Sequence, residues 1–306
     1  MKWTAKARIM SLCNSLPMGD AVYHFMQKKM GRLKIDPMRC IETQLEMAHW
    51  FRDSSVSIEG KAFFELGTGH IPTVPIGLFL CGAETVVTVD ASRHLDIALL
   101  RDTLRWFTVN RVHVESMYSI IVSPAILREK LDVVRRYQDL PTEFLKKAGI
   151  VYRAPYDAAK SDIPSHSIDV CFSVNTLEHI SPAVIGNILK ESHRILKPQG
   201  HAMHIIDLSD HFQHQDKRIS PINFLKFDDT AWGKIAGNKY AYCNRLRASD
   251  FEALFQKYGF QIVCSEKNVD AGSLNALYAD FPLSQKFMAY EKRDICTTKI
   301  MIMSCL

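Results

Sequence analysis

Residues 63 to 90, FFELGTGHIPTVPIGLFLCGAETVVTVD, limit what this chain can fold into more than any other stretch. KAFFELG is a short apolar strand that breaks at two glycines, Gly67 and Gly69. Thr73 is placed to cap a helix with Pro75 in its first turn, and Gly82 closes that helix after IGLFLC. TVVTVD follows, a near-continuous β-branched run of the kind found in strands buried on both faces. Strand, glycine turn, helix and strand outline a nucleotide-binding βαβ unit. The third glycine of G-x-G-x-x-G is absent, because His70, Ile71 and Pro72 follow Gly69.

The chemistry of the turn narrows its ligand. In an open α/β sheet, ligands sit beyond the carboxyl ends of the strands, and glycines there let main chain approach a ligand with no Cβ in the way. Asp90 lies 21 residues after Gly69, at the end of the second strand, where a carboxylate can accept from both ribose hydroxyls. Glu65 is an acid inside the turn, and Pro72 and Pro75 lack donors where a phosphate would seek helix amides. A ligand that carries an ammonium or sulfonium and no phosphate suits these residues better than a pyrophosphate.

The remaining pattern extends the unit. Residues 1–60 read as a helical N-terminal cap, with Ile41, Leu45, Ala48 and Phe51 at helical spacing in CIETQLEMAHWFRD. Residues 61–306 form the main domain, in which 92–149 are a helical insertion. Strands resume at IVYRAPYD and SIDVCFSV, the helix PAVIGNILKESHRILK stops at KPQG, and HAMHIIDL is the next strand. Residues 209–248 form a polar, aromatic loop without regular structure, on the acceptor side. Ser249 to Glu252 read as a capping box, and QIVCSEK and TTKIMIMSC close the chain as strands. The sum is an α/β fold, a doubly wound, mostly parallel seven-stranded sheet with helices on both faces.

The motifs ELGTG, VTVD, YDAAKSDIPSHSID, IDVCFSVNTLEHI and ESHRILKPQG, in this order, resemble the class I S-adenosylmethionine-dependent methyltransferases. The resemblance covers about residues 61 to 208 and is closest to the E-L-G-T-G group with a later L-E-H, which includes enzymes that methylate glycans and other small molecules. It implies S-adenosylmethionine as cofactor, with Glu65, Gly67 and Gly69 around its methionine part, Asp90 on the ribose, Asp157 and Ala158 beside the adenine, and Asn175 lining the methionine side. Ile71 departs from the family, where many members have a further glycine.

Transfer to a hydroxyl needs a base within hydrogen-bond reach. His179 follows the fourth strand, where related enzymes often place a base, and His211 and His214 follow the fifth; His204, inside a strand, reads as a core residue. Glu178 and His179 match a carboxylate–histidine pair that ligates a divalent ion in methyltransferases of ubiquinone biosynthesis. Asn175 stands where those enzymes have a third, acidic ligand, and no metal is assigned. Phe227, Trp232, Tyr240 and Tyr242 are candidates to stack on an acceptor, and Arg245 and Arg247 to clamp its carboxylate or phosphate. The expected reaction is O-methylation of a small polar acceptor, a sugar or other hydroxylated metabolite. N-methylation of a small amine and nicotinamide-dependent oxidoreduction are the alternatives.

Composition excludes other classes. A net charge of +5 without a basic stripe argues against nucleic acid. The densest basic group, QKKMGRLK at 27–34, leaves room for peripheral attraction to an anionic membrane. No apolar run reaches the roughly 18 residues of a membrane span. Eight cysteines with no C-x-x-C pair read as reduced thiols of a cytoplasmic protein.

Overall fold

A computed structural model describes residues 1–19, 22, 23, 25, 26 and 36–306. The basic group at 27–34 lies outside the described residues. Among the described residues, seven strands form one sheet: β1 (Ala62–Leu66), β2 (Thr85–Val89), β3 (Ile150–Arg153), β4 (Ile168–Val174), β5 (Leu196–Asp207), β6 (Gln261–Val269) and β7 (Thr297–Cys305), in the order β3-β2-β1-β4-β5-β7-β6. β1 pairs in parallel with β2 and β4, and β2 with β3, whereas β6 and β7 are antiparallel. Strand order therefore reverses at β1, the place where such sheets bind ligands.

The chain divides into two compact units. The first comprises Lys34–Ser173, Lys190–Ala202 and Leu306, and the second Met1–Leu33, Val174–Leu189 and Met203–Cys305, so residues 1–60 are shared between them.

In the first unit, α1 (Trp3–Ser15) being part of the second, the helices begin with α2 (Pro37–Asp53) and α3 (Thr73–Leu80). The insertion supplies α4 (Ile97–Val109), α5 (Arg111–Tyr118), α6 (Pro124–Tyr137) and α7 (Pro141–Lys147). Phe51 of α2 packs 5.7 Å from Phe63 of β1 and 6.4 Å from Phe172 of β4, joining helix and sheet through three buried rings. A Cβ on Gly77 of α3 would come within 2.7 Å of Gln44 of α2, so the close approach of these helices requires glycine. Gln44 is buried but satisfied: its amide donates to the Thr73 carbonyl at 2.8 Å and its oxygen accepts from Tyr118 of α5 at 2.5 Å. These two bonds tie the insertion to the βαβ unit.

β5 starts at Leu196, before the expected HAMHIIDL. Gly200 reads as a stop in the sequence, yet a Cβ there would lie 3.1 Å from the Asp169 carbonyl of β4 and 2.9 Å from Leu196. It serves close packing inside a strand.

The second unit holds α1, α9 (Asp229–Ala236), α10 (Ala248–Lys257), α11 (Ala271–Tyr278) and α12 (Lys292–Ile295), with β6 and β7; α8 (Pro182–Ile195) begins in it. Residues 209–248 are not without regular structure, since a 3-10 turn at Asn223–Lys226 and α9 lie within them. Asp228 caps α9 by accepting from the Ala231 amide at 2.7 Å. The capping box sits two residues before its expected place: Arg247 is the N-cap of α10, and Asp250 accepts from its amide at 2.8 Å. Ser249 instead bonds Asp294, and Glu252 pairs with Lys267 at 2.8 Å. Among the described residues, no helix is long and apolar enough to cross a membrane. All eight cysteines are free thiols.

Candidate active site

The glycine turn belongs to the first unit. Gly67 and Gly69 have φ of +85° and +68°, a region open to glycine at no steric cost. The Gly67 amide donates to the Val89 carbonyl at 2.8 Å, which locks the turn to β2. A Cβ placed on Gly69 would meet no protein atom within 4 Å. The space beside this main chain is open to a ligand. Asp90 is half-buried and accepts from the Gly69 amide at 3.0 Å, so the turn and the candidate ribose acceptor hold each other in place. Burial raises the Asp90 carboxyl to about 6 despite that bond.

Glu65 is 4% exposed and faces β2, not the open side of the turn. Thr88 donates to it at 2.5 Å, and the Thr68 and Thr88 hydroxyls are also 2.5 Å apart. Burial pushes the Glu65 carboxyl up to about 8, against the Thr88 bond. It is mostly protonated at neutral pH and braces the turn from beneath. Repulsion of a pyrophosphate by a Glu65 charge, expected from the sequence, therefore does not operate. Asp157 is exposed and accepts from the Ala159 amide at 3.0 Å, with Ala158 half-buried between them. These groups fit an adenosyl ligand: a glycine cradle open on one side, with an ionisable acceptor at its rim.

The second unit carries Asn175 and the histidines. Asn175, which follows β4, has φ +51°, a left-handed conformation that asparagine tolerates better than most residues, and its amide donates to Ile205 at 2.8 Å. Leu177–His179 form a 3-10 turn. Asn244 fastens it by donating to the Leu177 and Ile180 carbonyls, both at 2.8 Å, while its own amide donates to Glu178 at 2.8 Å.

His179 donates from Nδ1 to the Tyr242 carbonyl at 3.0 Å, which leaves the Nε2 lone pair for other chemistry. Burial by surrounding protein, then the nearby His211, lowers its pKa, although the residue keeps contact with solvent. The rings of His179 and His211 are 4.9 Å apart, and those of His211 and His214 are 5.2 Å apart. Asp207, the last residue of β5, lies 3.4 Å from His211 Nε2 and 3.3 Å from His214 Nε2. The contact to His211 lacks hydrogen-bond geometry, and that buried nitrogen makes no hydrogen bond. Ser209 donates to Asp207 at 2.6 Å and lies 3.0 Å from His214 Nε2. Burial would raise the Asp207 pKa, but His211 and His214 overcome it and hold the carboxyl far below its usual range. His204 is 1% exposed and burial lowers it to about 3, as befits a core residue.

The structure thus brings together His179, His211 and His214, which the sequence separates by 35 positions. It adds Asp207, Ser209 and Asn244, which sequence reasoning passed over. The carboxylate ending HIID was the available signal for Asp207, because strand ends line such sites.

The acceptor residues fare differently. Trp232 is 6% exposed and packs among Phe212, Phe224 and Phe227. Arg245 donates to the Phe224 and Phe227 carbonyls at 3.0 and 2.6 Å and pairs with Asp229. Arg247 is fully buried, donating to Leu208 at 3.0 Å, Ile295 at 3.1 Å and Thr297. An acceptor clamp from Arg245 and Arg247, or a stacking platform from Trp232, does not match these positions: the groups are spent inside the protein. Tyr242 is half-buried; Tyr240, also half-buried, stacks on Tyr23 at 4.3 Å.

Comparison with known proteins follows the same line. A family profile described as "Methyltransferase domain" matches residues 57–265, well over half of the chain. Among curated proteins, none matches the sequence. An S-adenosylmethionine-dependent methyltransferase from Mesorhizobium loti is 16% identical, over 85% of this chain and 98% of its own, with a TM-score of 0.43. Phosphoethanolamine N-methyltransferase 2 from Haemonchus contortus, in complex with S-adenosyl-L-methionine, is 14% identical over 86% of this chain and 52% of its own, with a TM-score of 0.46. Magnesium protoporphyrin IX methyltransferase from Synechocystis, with bound SAH, is 10% identical over 86% and 81%, with a TM-score of 0.46. Superpositions this loose bear on neither acceptor nor site residues. The nicotinamide alternative falls with the family match. The chain belongs to the methyltransferase-domain family, as a class I enzyme that takes its methyl group from S-adenosylmethionine.

Proposed function

We propose that the enzyme methylates a hydroxyl of a small, polar acceptor, a sugar unit or similar metabolite, and that His179 takes the hydroxyl proton. One observation carries this reading: His179 Nδ1 is bound to a main-chain carbonyl at 3.0 Å, so the neutral ring presents its Nε2 lone pair in a fixed direction. Its lowered pKa keeps that lone pair available at neutral pH. Asp207, Ser209 and His214 supply a charged network that can pass the proton on. Gly67, Gly69, Asp90, Asp157 and Ala158 hold the cofactor, and Glu65 supports them from beneath. Bound there, S-adenosylmethionine supplies an electrophilic methyl group on a sulfonium. Tyr242 is the half-buried ring left to meet an acceptor, since Tyr240 stacks on Tyr23. Eight free thiols support a reducing compartment such as the cytoplasm.

The test is His179→Ala, assayed by transfer of labelled methyl groups to a panel of hydroxylated and amino acceptors. Loss of a general base lowers the rate by about 10²- to 10⁴-fold on a hydroxyl acceptor, with S-adenosylmethionine affinity kept. A variant that turns over at the wild-type rate, or a wild-type enzyme that methylates only amines, sinks the reading.

A further inference from the structure

Glu178 is 1% exposed, and neither carboxylate oxygen has a hydrogen-bond partner in the protein. His211 Nε2 is also buried and makes no hydrogen bond, with the Asp207 carboxylate 3.4 Å away. Buried polar atoms without hydrogen bonds are costly, and three at one place call for an occupant. With His179 they form a group whose ligand atoms all lie within 4.8 Å of one another. A cation about 2.1 Å from each donor needs donors about 3 to 3.4 Å apart, a distance that modest side-chain rotation reaches.

We propose that Glu178, His179 and His211 bind one divalent transition-metal ion of the zinc class. Two imidazoles and one carboxylate favour a borderline ion such as Zn²⁺ or Co²⁺ over the hard ions Mg²⁺ and Ca²⁺, which prefer all-oxygen sets. The outer groups match this use. The Tyr242 carbonyl fixes His179 as the tautomer with a free Nε2, and Asn244 holds the turn bearing two of the ligands. Asp207, 3.4 Å from His211 Nε2, adds negative charge beside the ion. Three protein ligands leave positions open for water or an acceptor oxygen. The ligand set stands on the geometry of the second unit alone. Its meaning for methyl transfer rests on the function proposed above and changes one part of it. With the ion bound, His179 would be a ligand instead of the base, the ion would acidify a bound hydroxyl, and the Asp207–His214 pair would take the proton.

Protein stripped with a chelator is titrated with Co²⁺ and followed by visible absorption, which separates nitrogen–oxygen ligation from thiolate bands of the free cysteines. Wild type is expected to bind one equivalent with the former spectrum, and Glu178→Gln and His211→Ala to bind at least tenfold more weakly. Calorimetry with S-adenosylmethionine on the same samples is expected to give equal affinity for all three, which shows that the variants are folded. Wild-type protein without Co²⁺ bands, a thiolate spectrum, or variants that bind as tightly as wild type would overturn the site. Failure of wild type to bind S-adenosylmethionine would strike the proposed function and leave the metal result standing.

Discussion

In the proposed cofactor site, Asp90 connects turn, ligand and pH in one side chain. An ionised carboxylate is acceptor-only and binds two hydroxyls more strongly than a protonated one, and burial has moved this group from the usual carboxylate range to about 6. S-adenosylmethionine binding that draws on the ionised form is therefore full above about pH 6 and falls as pH drops below it, by up to about tenfold per unit. Calorimetry between pH 5 and 8 checks this, and Asp90→Asn should bind weakly with no such slope. The turn at Gly67 and Gly69, with Asp90 beside it after β2, was legible in the sequence because spacing sets position there. The place of Arg245 and Arg247 was not legible. Arginine is rarely buried, and only the folded chain shows the carbonyls that receive those guanidiniums.

At the scale of elements, Arg247 is the joint of the second unit. Its guanidinium gathers carbonyls from the end of β5, the end of α12 and the start of β7, while its own amide is held by Asp250 at the head of α10. Arg247→Met leaves those carbonyls buried and unpaired, a loss of about 3 kcal/mol or more, equivalent to a fall of roughly 5–10 °C in Tm. Arg105→Met removes an exposed pair with Asp139 and should cost less than about 1 kcal/mol. Thermal melts of the two variants distinguish a structural arginine from a solvated one. The strand–turn–helix–strand order was readable because periodicity and glycine placement report local geometry. The helix α9 and the early start of β5 were hidden by Gly233 and Gly200, which carry the same letter as a stop signal.

For the whole molecule, buried titratable groups in both units set the pH range of stability. Glu65 is protonated in the fold and ionised in the unfolded chain above its ordinary pKa, so its contribution is lost as pH rises toward about 8. His204 works the other way: it is neutral when folded, so stability is lost as pH falls from about 6.5 toward 3. Between about pH 6.5 and 8 the Glu65 effect stands unopposed by His204, and Glu178, raised to about 8 by burial, has the same sign. Urea unfolding of chelated protein should show stability falling over that interval, and Glu65→Gln should recover about 2 kcal/mol of the loss. The doubly wound class was legible at this scale because seven strand signals and their intervening helices recur along the chain. The three histidines were named singly from the sequence, but their meeting was not legible, since they come from two chain segments that only tertiary folding joins.

The atom that aims His179 belongs to the peptide backbone of Tyr242. Every amino acid supplies the same carbonyl at that position, so a scan of single substitutions can leave this contact untouched while it alters the ring beside it. Tolerance of replacements at position 242 would then report on the phenol alone, and the orienting contact would show itself only through isotope-edited spectroscopy or a backbone ester.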